Sequence, residues 1–99
     1  MTQQYLAGEL SVRLAQLQAV GGRQGLVCKI RHLRQEVETA PTTGLASVLL
    51  RALKLTDSMC WESLERGDTT TFMRDIDMYT ELCEFGVAAG LIDEVRTLT

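Results

Sequence analysis

Four stretches of this chain place apolar residues three and four apart, and glycine or proline interrupts the rhythm between them. An α-helix turns once every 3.6 residues, so this spacing gathers those side chains on one stripe; a strand would need a period of two. Leu6, Leu10, Leu14 and Leu17 mark a first helix over about 3–20. Glycines between positions 21 and 25 supply the freedom that stops it. Leu26, Ile30, Leu33 and Val37 define a second over about 26–38. The segment 39–44 ends that one, because Pro41 disfavours helical geometry at Ala40 and has no amide to donate. A third helix is expected over about 44–66 with Thr43 as N-cap, closed by Gly67. Asp68 then caps a fourth over about 69–89, whose main stripe is Phe72, Ile76, Tyr79, Cys83 and Val87, with Gly90 at its end. Leu91, Val95 and Leu98 keep the rhythm for one further short C-terminal turn. Short connections make neighbouring helices antiparallel, so the chain reads as all-α: a small antiparallel four-helix bundle in one domain over 1–99.

Composition agrees. With 45% apolar and 23% charged residues the chain is globular in character, and 99 residues are enough for one core. MTQQYLAGEL has neither the basic nor the apolar region of a signal peptide, and the apolar runs are too short and interrupted to span a bilayer. No membrane partner is therefore expected. Cys28, Cys60 and Cys83 are odd in number and far apart, which suits reduced thiols and a cytoplasmic address. Eight arginines against two lysines suggest a GC-rich, bacterial source.

The third and fourth helices carry more apolar surface than a bundle helix needs. On a helical wheel, residues from Leu45 to Leu64 spread over an arc of roughly 240°, where somewhat more than 100° suffices. Asp57 is the one charged residue well inside that arc. The fourth helix adds Met78, Leu82, Phe85 and Ala89 beside its main stripe, with Asp75 between the two faces. The first has a second line of its own, Tyr5, Val12 and Ala19. One explanation is that the third helix is central and the tail folds over the remainder. The sharper one is a contact with another chain, because large exposed apolar patches mark interfaces and tryptophan is favoured there as an anchor. On that reading Leu50, Trp61, Met78, Leu82 and Phe85 form the protein interface.

Charge is lopsided. Residues 1–56 hold seven basic against three acidic groups, net +4; residues 57–99 hold three against ten, net −7. The positive charge is densest in RQGLVCKIRHLR, positions 23–34. A phosphate-binding helix is the functional interpretation. The net charge of −3, the scatter of Lys29 away from Arg31 and Arg34, and the lack of interleaved aromatics argue against it. A basic second helix beside the acidic fourth, within the fold or across a dimer, explains the pattern more simply.

No catalytic set can be drawn. Cys28 and His32 share a face at i and i+4, with Glu36 one turn on, but a zinc site needs three or four ligands and the other cysteines fall in core arcs. His32 is the sole histidine, and no serine–histidine–aspartate set accompanies it. DIDMYT, positions 75–80, lies mid-helix rather than at a strand end. No glycine-rich phosphate loop and no di-iron ExxH pair is present. The expectation is a non-catalytic helical binding or assembly module without cofactor or metal, acting as a homodimer or beside a larger protein subunit. An accessory subunit of a heteromeric enzyme is the alternative; in size and helical character the chain is similar to the small helical chain of bacterial cyclodipeptide oxidases, whose larger chain carries the flavin. A small nucleic-acid-binding regulator is a further alternative.

Overall fold

The computed structural model describes residues 3–20, 24–39 and 44–92. It consists of four helices: α1 (Gln3–Val20), α2 (Gln24–Thr39), α3 (Leu45–Arg66) and α4 (Thr69–Ala88). All-α architecture is thus the outcome, and the helix bounds depart little from those the spacing predicts. The largest difference is at α2, which begins two residues early, so that Gly25 lies inside the helix rather than in the turn. Thr43, the expected cap of α3, lies outside the described residues, as do Val95 and Leu98 of the expected final turn.

Local chemistry fixes the ends. Gly44 precedes α3 at φ 73° and Gly67 closes it at φ 72°, in the left-handed region that glycine enters without strain. Around Gly67 the chain satisfies the last carbonyls of α3: the Gly67 amide donates to Leu64 O and the Asp68 amide to Ser63 O. Asp68 is the N-cap of α4, as its position suggests. Its Oδ1 accepts from the Thr71 amide at 3.1 Å and its Oδ2 from the Thr71 hydroxyl at 2.7 Å. These bonds, the hydroxyl first, hold the Asp68 carboxyl below the ordinary carboxylate range.

The helices run alternately up and down. Glu36 of α2 meets Arg51 of α3 at 2.8 Å, Ser63 of α3 meets Asp75 of α4 at 2.7 Å, and Arg13 of α1 sits 4.4 Å over the Phe85 ring of α4. α3 packs most extensively against α4, and α1 against α2; α2 and α1 both also touch α3. This order puts α2 diagonally across from α4. The basic second helix therefore does not lie beside the acidic fourth within the chain. Arg34 bonds to Gln18 of α1 at 2.8 Å and reaches Glu38 of its own helix instead.

The core is built from the predicted seams. Leu6, Leu10, Leu14 and Leu17 of α1, Ile30, Leu33 and Val37 of α2, and Leu45, Val48, Leu49, Ala52, Leu53, Met59 and Cys60 of α3 are all buried. Tyr79, Leu82 and Cys83 complete it from α4. Gly86 lets α3 and α4 approach closely: a Cβ there would stand 2.5 Å from Leu49 Cδ2. Val87, expected on the buried stripe, is 36% exposed, because four-residue steps drift around a 3.6-residue helix and Gly86 has taken the packing position. No helix among the described residues is long and apolar enough to cross a membrane.

Candidate protein interface at the α3–α4 hairpin

The wide apolar arc of α3 is mostly answered within the chain. α3 packs against all three other helices, so an arc of roughly 240° has neighbours over most of its width. The second face of α4 is answered by α1. Arg13, Gln16 and Leu17 of α1 meet Met78, Glu81 and Leu82 of α4 along one crevice, and the Arg13 guanidinium covers Phe85. Leu82 is in the core of the single chain, while Met78 and Phe85 are half-buried against it. These three of the five candidate interface residues thus face a helix of their own chain.

Leu50 and Trp61 remain on the outer side. Leu50 is half-buried and lines a depression with Ser47, Arg51, Leu53, Lys54, Asp57 and Tyr79. Trp61 is different. It is 41% exposed, and Leu64, one turn on, is 47% exposed. With Cys60 of α3 and Phe72 and Ile76 of α4 they line an apolar groove of about 280 Å³. Met73, three residues before Ile76 on α4, is 54% exposed and extends the apolar surface outward. Leu50 and Trp61 are eleven residues apart, so about 16 Å and the charged Lys54 and Asp57 separate them on one face.

The groove has a firm base. The Gly67 turn and the Asp68 cap fix the hairpin angle at its closed end. Beneath it, buried Asp75 accepts from the Ser63 hydroxyl at 2.7 Å, and Arg74 approaches the same carboxylate at 3.2 Å. The Met59 carbonyl, at 2.9 Å, shares the same Ser63 proton as the weaker acceptor. The Cys60 thiol at its floor is pushed up to about 12, first by burial and then by the negative charges of Asp75 and Asp57. That thiol stays protonated and offers no nucleophile. Asp57 and Glu65 stand one turn either side of Trp61, giving the groove an acidic rim along α3.

Sequence reasoning located Trp61 but not the groove's other wall. By spacing alone Leu64 belongs to the wide arc of α3 and Phe72 and Ile76 to the main stripe of α4, while Met73 lies off that stripe. The available signal was that Trp61, Leu64, Phe72 and Ile76 flank one short turn, which brings them to one end of a hairpin.

The remaining candidates for chemistry do not converge. His32 is exposed and Cys28 half-buried on α2, while Glu36 is engaged by Arg51. Among the described residues no group of three or more histidine, cysteine or acidic side chains could hold a metal ion. Tyr5 and Val12 of α1 are each more than half exposed. No protein-family model, curated protein or solved structure matches this chain.

Proposed function

We propose that the protein is a non-catalytic assembly module of the bacterial cytoplasm that joins another protein chain through the Trp61 groove. The carrying observation is the co-location of Trp61, Leu64, Phe72, Ile76 and Met73 on the outer side of one hairpin, uncovered by any helix among the described residues. Tryptophan is among the residues enriched as anchors of protein interfaces, where it fills a well-packed apolar pocket. The chain itself is the simplest partner, since two-fold pairs are the commonest homo-oligomers. A larger subunit is the other form of the same reading.

Trp61→Ala tests it. An interface tryptophan contributes at least about 2 kcal/mol of binding, more than tenfold in affinity. Light scattering on the wild type across a concentration series should show association that the variant loses. Trp61 fluorescence should become shielded from aqueous quenchers over the same range. A wild type that stays monomeric, with Trp61 equally quenchable at every concentration, rules out self-association. The larger-subunit form then stands or falls on whether a co-expressed neighbouring gene product shields Trp61.

A further inference from the structure

A second concave feature lies between α2 and α3, and its chemistry differs from that of the Trp61 groove. Leu33 and Leu55 form an apolar floor; Lys29 and His32 stand on the α2 bank, Arg51 and Lys54 on the α3 bank. The space is about 360 Å³, within the roughly 300–1,000 Å³ of small-molecule sites. Arg51 is bound to Glu36 at 2.8 Å at the edge. The side-chain nitrogens of Lys29, His32 and Lys54 take part in no ion pair or hydrogen bond among the described residues. Among the described carboxylates Glu36 meets the cleft at Arg51, and Asp57, one turn on from Lys54, lines the neighbouring depression that Arg51 and Lys54 share. Basic side chains gathered around an apolar floor repel one another, and an anion seated between the two banks would offset that repulsion.

We infer that the α2–α3 cleft binds a small organic acid with an apolar body, its carboxylate held by Lys29 and Lys54 and its hydrocarbon part laid over Leu33 and Leu55. The length of the site selects this class. The lining residues run from 29 to 33 on α2 and from 51 to 55 on α3, about 6 Å along each axis. A partner helix would need a groove several turns long, and a nucleic acid would find an apolar floor where its phosphates need polar groups. A chain of six to eight carbons, or one aromatic ring system, matches the span. His32 adds a hydrogen-bond donor on the same bank as Lys29. The site is independent of the Trp61 groove, with which it shares no residue.

Amide chemical-shift titration of the whole chain with octanoate at neutral pH tests the inference. Octanol is the uncharged control, and vesicles of phosphatidylcholine with phosphatidylglycerol provide the same chemistry on a membrane. Octanoate should bind saturably at one site, with shifts centred on residues 29–33 and 51–55. Lys29→Gln/Lys54→Gln should weaken it about fivefold or more, as expected for two exposed ion pairs. Arg31→Gln/Arg66→Gln, which removes equal charge at exposed positions outside the cleft, should leave affinity unchanged. Octanol should bind more weakly than octanoate by a similar factor. All four variant positions are exposed, so circular dichroism is expected to show folded proteins throughout. Shifts centred on Trp61, equal binding of octanol, equal effects of the two double variants, or no saturable shift would each overturn the assignment. Vesicle binding without saturable octanoate binding would replace it with a membrane surface.

Discussion

Two glycines in helix interiors offer a matched test of how tightly α3 and α4 are packed. Gly8 lies in α1 with nothing within 4 Å of the place a Cβ would occupy. Gly86 lies in α4, where the same atom would stand 2.5 Å from Leu49 Cδ2 and 3.0 Å from Ile92 Cγ1. Alanine in place of glycine favours a helix by about 1 kcal/mol, somewhat less near a helix end. Gly8→Ala should collect that gain undiminished. Gly86→Ala must also displace a methyl group of Leu49, which is fully buried in a close-packed core. Inserting one carbon into such a site costs roughly 1–3 kcal/mol, which equals or exceeds the propensity gain. The two variants should therefore differ by about 1–3 kcal/mol in opposite or near-opposite directions. For a chain of this length each kcal/mol moves the melting temperature by roughly 4–8 °C. Thermal unfolding followed by circular dichroism should show Gly8→Ala melting above wild type and Gly86→Ala at or below it. If Gly86→Ala rises as far as Gly8→Ala, α3 and α4 are not in the contact described, and the argument that glycine permits it fails.

Arg74→Met should destabilise the protein more than Asp75→Asn, by about 1–2 kcal/mol once the half-exposed position of Arg74 is allowed for, because it strands a buried carboxylate, whereas asparagine still accepts from Ser63; urea unfolding of both variants would show an equal or reversed order if the pair is unimportant. Alkylation with iodoacetamide at mildly alkaline pH should modify Cys28 first and spare Cys60, whose buried thiol is pushed up to about 12; peptide mapping that finds Cys60 modified early in the folded protein contradicts the packing. The Asp68 carboxyl is lowered in the folded chain, so its contribution to stability is present above the ordinary carboxylate range and lost as pH falls through the lowered value. The melting difference between wild type and Asp68→Ala should accordingly close on acidification, and a gap that is independent of pH would show that the cap is not ionic.

What the sequence by itself determined was local. Helix bounds follow from the three-and-four spacing, from Gly67 and Asp68, and from the break at Pro41, because each acts within one or two turns of chain. The inward seams of α1 and α2 were legible for the same reason: a stripe on a wheel shows which way a helix must face. Trp61 was legible as an anomaly, a large apolar side chain at the margin of an arc already too wide. A wheel does not show which helix lies in the direction a stripe points, nor how far along the axis two helices meet. That was left to tertiary structure. It covered Met78 and Phe85 with α1, spread the arc of α3 over three neighbours, and moved basic α2 away from acidic α4. It also paired Ser63 with Asp75 beneath the groove and set Lys29, His32, Arg51 and Lys54 around two leucines. These groups come from different helices, and their encounter depends on packing distances and axial offsets that no single helix encodes.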